Sequence, residues 1–336
     1  MTNQTSTPGA VITGANGHIG YALVKELIDK GQRPRLLLRR KTALFDGMDC
    51  DISLGDITQP DTLLAAFEGA QVVYHLAGLI EVGGGNDAAV WNTNVDGTLN
   101  VIAACKACGV KRLVYCSSVD AIPPAQHGKT MTEPASYSSG PLNGTYAKTK
   151  AIAAQAALAS AQEGFDVVVG MPSACIGPYE FKRSNLGELV RMFIKFPFPI
   201  TMRFGGYNFV DVRDVAQGLA AMGEKGRPGE SYILSGEFMD CDRLIRTLAE
   251  LNGRKPPKLP LPRVLATAGA VPAELYYKLM RKTPLFTRYS IRKIMENGLF
   301  SYEKATRDLG YNPRSVRDSL RDMIAWIKEN EKDGNA

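Results

Sequence analysis

The run Val11-Ile12-Thr13-Gly14-Ala15-Asn16-Gly17-His18-Ile19-Gly20 joins an apolar β-type segment, Ala10–Thr13, to a helical pattern through three glycines spaced three apart. Downstream, Ile19, Leu23, Val24, Leu27 and Ile28 recur at helical spacing until Gly31 stops the pattern. At such a junction Gly14 can take a tight turn, Gly17 can let the backbone approach a pyrophosphate, and Gly20 can let the helix lie close to the strand. Asn16, His18 and Ile19 fill the loop and first turn, where unpaired N–H groups and the positive end of the helix dipole favour an anion. With 33 glycines in 336 residues, the spacing alone is weak evidence. The strand-to-helix position carries the reading, and it makes a dinucleotide the expected ligand.

Outward from this loop the pattern repeats. Residues 34–38 read as a second strand, 71–76 as another followed by a helix over 90–108, and Arg112–Cys116 as a strand followed by the Ala-rich helix Thr145–Gln162. A last run, 166–169, is ended by Pro172. Strands that are apolar throughout, alternating with amphipathic helices, predict an α/β fold, a Rossmann-type doubly wound parallel sheet buried on both faces. After Pro172 the rhythm gives way to Pro and Gly clusters and helical patterns near 186–196 and 244–251, which predicts a smaller helix-rich C-terminal substrate lobe. The expected division is a dinucleotide-binding domain over 1–175, with 206–235 returning to the sheet, and a lobe from 176–205 and 236–330.

Composition removes several function classes. Hydrophobic residues at 45% and charged residues at 22% exclude a disordered or fibrous chain. Forty Lys and Arg against 34 Asp and Glu give a net charge of +6 with no long basic run, so nucleic acid is not an expected partner. Six cysteines, several within apolar runs, suit a reducing cytoplasmic compartment. Residues 1–9 are polar and lack the pattern of a signal peptide. The apolar stretch 261–280 is broken by Arg263, Pro272, Glu274 and Lys278, short of the ~20 apolar residues a membrane span requires. His18, His75 and His127 are scattered and no Cys/His set has zinc spacing, so no metal is expected. Cys105 and Cys108 close a helix, where a low-pKa thiolate is not favoured, and are read as packing.

Where an NAD site would carry an acid for the ribose 2′-hydroxyl, the second strand ends in Arg39-Arg40-Lys41. A guanidinium pairs with a 2′-phosphate bidentately, so the expected cofactor is NADP(H), with Arg39 and Arg40 both candidates for that contact. Asp56 is a candidate acceptor from the adenine amino group and equally a turn aspartate.

Tyr146 and Lys150 stand at i and i+4, on one helix face. Among thirteen tyrosines about one such pair arises by chance, and Tyr21/Lys25 and Tyr289/Lys293 repeat it. Position separates them. Tyr146 and Lys150 open the helix after the strand ending Tyr115-Cys116-Ser117-Ser118, at the carboxyl edge where open α/β sheets bind ligands, whereas the other two pairs are read as structural.

Taken together, the Gly-rich loop, Gly55-Asp56, His75-Leu76-Ala77-Gly78, Asn94-Val95-Asp96-Gly97-Thr98, Cys116-Ser117-Ser118, Tyr146 with Lys150, Met171-Pro172-Ser173 and Asn208 to Val215 resemble the extended short-chain dehydrogenase/reductases, within the epimerase/dehydratase superfamily. The resemblance runs over most of the chain and is greatest to the dihydroflavonol reductase and 3β-hydroxysteroid dehydrogenase group. It implies Tyr146 as acid/base, Lys150 on the nicotinamide ribose holding Tyr146 toward phenolate, and Ser118 on the substrate oxygen. Asn94 matches a position near the cofactor that serves a proton relay, with a helix-start cap as the alternative. Further cofactor contacts are implied at Asp56, Ile57, Leu76, Ala77, Gly78, Pro172, Ser173, Ala174 and Cys175. Met171 stands where the family often has Arg, so that contact is lost.

The expected activity is NADP(H)-dependent interconversion of a ketone or aldehyde and an alcohol. The substrate is a fairly apolar small molecule, a choice that rests on the resemblance and on the aromatic stretch 193–209, which has a lobe-core alternative. Two rivals remain: an NAD-dependent sugar-nucleotide epimerase or dehydratase of the same superfamily, and an NADP-sensing regulator without turnover. Relatives often pair through sheet-flanking helices, which makes a homodimer an expectation.

Overall fold

The computed structural model describes residues 9–80, 86–126, 128–140, 142–196, 199–279 and 288–331; His127, Phe198 and part of the basic segment before α10 lie outside them. The chain begins β1 (Ala10–Thr13), α1 (His18–Asp29), β2 (Arg35–Leu38), β3 (Asp51–Leu54), α2 (Asp61–Phe67), β4 (Val72–His75), α3 (Asp87–Trp91), a π-helical turn (Asn92–Asp96), α4 (Gly97–Ala107), β5 (Arg112–Cys116), α5 (Thr145–Gln162) and β6 (Asp166–Pro172). It continues through β7 (Ala174–Ile176), α6 (Asn185–Lys195), β8 (Ile200–Thr201), β9 (Gly206–Asp211), α7 (Val212–Lys225), β10 (Ser231–Leu234), β11 (Glu237–Asp240), α8 (Cys241–Leu251), β12 (Leu259–Pro260) and four helices, α9 (Arg263–Leu279), α10 (Arg288–Met295), α11 (Glu303–Leu309) and α12 (Val316–Asn330).

Seven parallel strands in the order β10-β6-β5-β4-β1-β2-β3 form the Rossmann sheet. Strand side chains alternate between faces, and the core divides accordingly. Val11, Leu37, Val73, Leu113 and Val167 face the cluster covered by α2, α4 and α5, while Ile12, Leu36, Tyr74, Val114 and Val168 face the one covered by α1 and α7. Small residues on α5, Ala147, Ala151, Ala154 and Ala157, are buried and bring that helix close to the sheet.

Several details differ from the sequence reading. Pro172 does not end β6 early: β5 has stopped at Cys116, opposite Gly170, so the missing Pro172 N–H has no ladder partner to lose on that side. The predicted helix 90–108 is interrupted by the π turn. Of the segment 206–235, β10 joins the main sheet, but β9 pairs with β7 and β11 in a separate three-stranded sheet. The final helices are also more than lobe: Leu320, Met323 and Ile324 of α12 enter one face of the sheet core, and Ala305 and Leu309 of α11 the other. Phe193 and Phe209 are core residues, whereas Phe196 is exposed. All six cysteines are free thiols. Among the described residues, no helix is long and apolar enough to cross a membrane and no group of His, Cys, Asp or Glu is arranged to hold a metal ion.

Candidate active site

β1 lies between β2 and β4, so the chain reverses direction across the sheet at β1/β4, where a crevice opens beyond the strand ends. Gly14 turns there with φ +74°, and a Cβ on it would lie 2.5 Å from Ala77 N and 2.7 Å from Leu76 C, so any side chain would close the crevice. The Gly17 N–H donates to Gly14 O at 2.9 Å, and Gly17 caps α1 with no side-chain acceptor, leaving first-turn N–H groups for a ligand. A Cβ on Gly20 would reach within 2.8 Å of Ala15 Cα. Ile19 and Leu76 pack against the core on the α1 side. These features fit a dinucleotide pyrophosphate.

Under the cradle runs a buried hydrogen-bond string. Ala77 N donates to Thr13 Oγ1 at 3.3 Å, Thr13 Oγ1 bonds His75 Nδ1 at 2.7 Å, His75 Nε2 bonds Thr98 Oγ1 at 3.0 Å, and Thr98 Oγ1 donates to Asn94 O at 2.7 Å. Because each hydroxyl has one proton, His75 must carry its proton on Nε2 and accept at Nδ1. Burial, aided by the Lys150 charge, lowers the His75 pKa to about 3, so the ring is neutral and the string has one direction.

Asn94 sits in the π turn, with helix on both sides, and is not a helix-start cap. Its Oδ1 accepts from Leu79 N at 2.8 Å, and its Nδ2 donates to Leu79 O at 3.0 Å and Thr149 Oγ1 at 3.1 Å. The loop after β4 is thereby pinned to α5. A Cβ on Gly78 would come within 3.3 Å of Asn94 Oδ1 and 3.5 Å of Lys150 Nζ, which places Asn94 and Lys150 beside the crevice.

Lys150 is buried, and its Nζ donates to Cys116 O at 2.7 Å and Tyr115 Oη at 3.3 Å, 4.9 Å from the Tyr115 ring centroid. Ser118 caps a short turn, accepting from Asp120 N at 3.2 Å, and lies close enough to Tyr146 to influence its phenol. The resemblance implied an ammonium holding Tyr146 toward phenolate. In this arrangement the influences run the other way: burial first, then the Asp120 charge, push the phenol well above its ordinary range, opposed by the nearby Ser118 hydroxyl.

Asp120 escaped the sequence reading. Its Oδ1 accepts from Tyr207 Oη at 3.1 Å and from Lys293 Nζ at 2.8 Å, and Asp120 in turn helps raise Lys293 to about 12. The sequence places Lys293 in a segment outside the sheet; α10 carries it back to Asp120, just past the carboxyl end of β5. Asp120→Asn removes a negative charge facing Tyr146, so the phenol pKa falls. Any pH–rate profile that the phenol controls should move to lower pH. Unmoved pH–rate profiles would show that Asp120 does not act on the phenol.

The remaining candidates divide by position. Asp56 Oδ1 accepts from Thr58 N and Thr58 Oγ1, both at 2.9 Å, the geometry of a turn aspartate, and Ile57 is buried against Gly97. Arg39 and Arg40 are exposed just past β2. His18 donates from Nε2 to Pro178 O at 2.7 Å, and burial holds the ring below its ordinary pKa. Past Pro172, Ser173 has a buried Oγ with no hydrogen-bond partner, a polar atom suited to a ligand at the nicotinamide end. Ala174 and Cys175 begin β7; the Cys175 Sγ donates to Ser173 O at 3.4 Å, and burial pushes its thiol far up. Tyr21 packs on Phe45, Tyr179 and Phe181, as a structural residue should.

A Rossmann cradle beside Ser118, Tyr146 and Lys150 defines the class of short-chain dehydrogenase/reductase proteins. The model of the NAD dependent epimerase/dehydratase family matches residues 10–235, and the chain belongs to that family, within the extended branch of the class. It is 31% identical to sterol demethylase protein B of Methylococcus capsulatus, over 95% of this chain and 98% of that protein. It is 29% identical, over 94% of each, to a candidate dihydroflavonol 4-reductase of Synechocystis sp.. The crystal structure of gox2253 superposes with a TM-score of 0.83 at 30% identity, covering 97% of this chain and 99% of that one.

Proposed function

We propose that the protein is an NADP(H)-dependent oxidoreductase that interconverts a ketone or aldehyde and an alcohol on a fairly apolar small molecule. The observation that carries this reading is the meeting of Ser118, Tyr146 and Lys150 at the carboxyl edge of the sheet, beside the crevice of Gly14 and Gly78, with Arg39 and Arg40 past β2 in place of an acid. A sterol-directed name on one relative and a flavonol-directed name on another support an apolar substrate.

NADP(H), when bound, supplies or accepts the hydride. In reduction, Ser118 donates a hydrogen bond to the substrate carbonyl oxygen and Tyr146 delivers the proton to it; in oxidation Tyr146 takes that proton back. Lys150, fixed by Cys116 O and Tyr115 Oη, is placed to bind the nicotinamide ribose and to stabilise the phenolate as it forms. Asn94 holds the loop carrying Gly78 and Leu79 in register with α5. The Rossmann part over 1–175, with 206–235, carries the dinucleotide and the C-terminal lobe covers the substrate, in a cytoplasmic protein.

In turnover, an apolar ketone or aldehyde should consume one NADPH per alcohol formed. Arg39→Asp should weaken NADPH relative to NADH on the order of 10- to 100-fold, the worth of a charged hydrogen bond plus new repulsion. An unchanged coenzyme ratio in a fluorescence titration would move the 2′-phosphate contact away from Arg39.

A further inference from the structure

Between β7 and α6 the chain crosses back over the cradle as a strap, residues 177–183. Its root is firmly held: His18 binds Pro178 O at 2.7 Å, Tyr179 adopts φ +73° against the Tyr21 ring at 5.3 Å, and Phe181 packs between Tyr21 at 4.9 Å and Trp326 at 5.2 Å. Between them Glu180 is buried in an ion pair with Arg191 at 2.6 Å. The next side chain, Lys182, is exposed and reaches back to the Gly-rich turn, its Nζ donating to Asn16 Oδ1 at 3.4 Å.

From this placement we infer that Lys182 is the third cation of the adenosine 2′-phosphate site, so that the phosphate is held by Arg39 and Arg40 from the sheet side and by Lys182 from the strap. The inference rests on the NADP(H) reading. β1 and β2 are neighbours in the sheet, so the Gly-rich turn that Lys182 touches and the Arg39-Arg40 pair leave the same edge; desolvation of its stem, and then the charges of Arg39 and Arg40, hold the Lys182 ammonium below the ordinary lysine range. Among the described residues no carboxylate lies within ion-pair distance of Arg39, Arg40 or Lys182, and only Lys182 has a hydrogen-bond acceptor, the neutral Asn16 amide. Neighbouring like charges with no counter-charge are unfavourable by themselves, and a dianion among them reverses the sign of each interaction. The division of labour suits the side chains: a guanidinium fork for two phosphate oxygens, and a mobile ammonium as a point charge on the third. The strap's root, fixed by Glu180 and His18, sets the reach of Lys182.

The test is fluorescence titration of the full chain and its Lys182→Ala and Lys182→Gln variants with NADPH and with NADH. Both variants should weaken NADPH by about tenfold or more, the loss of one charge-assisted hydrogen bond, and leave NADH within about twofold. Equal losses for both coenzymes would overturn the inference by placing Lys182 on the shared pyrophosphate, and unchanged NADPH binding would overturn it outright. Failure of the underlying reading looks different: the unmodified protein would then bind NADH at least as well as NADPH, before any variant is compared.

Discussion

Tyr146→Phe should lower kcat by about 10²- to 10⁴-fold, the usual worth of a positioned acid/base, while NADPH binding stays nearly intact. The substitution removes one oxygen and leaves the ring, so α5 keeps its packing through Ala147, Ala151 and Ala154. Ser118 still caps the turn at Asp120 N, and Lys150 keeps Cys116 O and Tyr115 Oη. Tyr115 does not substitute: it is fully buried behind Lys150. Steady-state rates together with a coenzyme titration check this, and near-normal turnover would remove Tyr146 from the chemistry.

A second large effect lies in the strap's anchor. Arg191 is buried, with Nη1 on Glu180 at 2.6 Å and Nε on Glu331 Oε1 at 2.8 Å. Glu180 is 2% exposed, and its carboxylate also takes the Ser184 hydroxyl; a Cβ on Gly187 would overlap it. Arg191→Ala leaves that carboxylate buried and unpaired, which should cost about 3–5 kcal/mol of unfolding free energy. The double variant Arg191→Met with Glu180→Gln should recover much of the loss, because no lone charge remains inside. Denaturant midpoints at constant slope report both. A single-variant loss below about 1 kcal/mol would mean that the pair is effectively hydrated.

How much of this was legible in the sequence follows from the range of the interactions. β1, β5 and α5 fall at their expected residues because local signals mark them: apolar runs for the strands, and Gly144 before α5 with Gly164 after it. The cradle was legible for the same reason, since Gly14, Gly17 and Gly20 act within one turn of chain. The π turn was not, because no residue type marks a single wide turn inside a helix, yet it is what aims Asn94 at Leu79. Asp120, Tyr207 and Lys293 share a site only through packing of β9 and α10 against the end of β5, and no short-range pattern announces that. Lys182 reaches Asn16 in the same way, from a strap whose course is set by the buried Glu180–Arg191 pair. For Asp56 the sequence leaves two roles open; its Oδ1 makes the turn bonds to Thr58.

The most direct measurement is a parallel titration of the purified protein with NADPH and NADH, followed by intrinsic or nicotinamide fluorescence. Exchangeable binding with NADPH clearly tighter is the expected result, because two arginines, Arg39 and Arg40, follow β2 where an NAD site would carry an acid. Tighter NADH binding, or NAD that copurifies and does not exchange, would contradict it and point instead to the hydride-recycling chemistry of sugar-nucleotide epimerases and dehydratases.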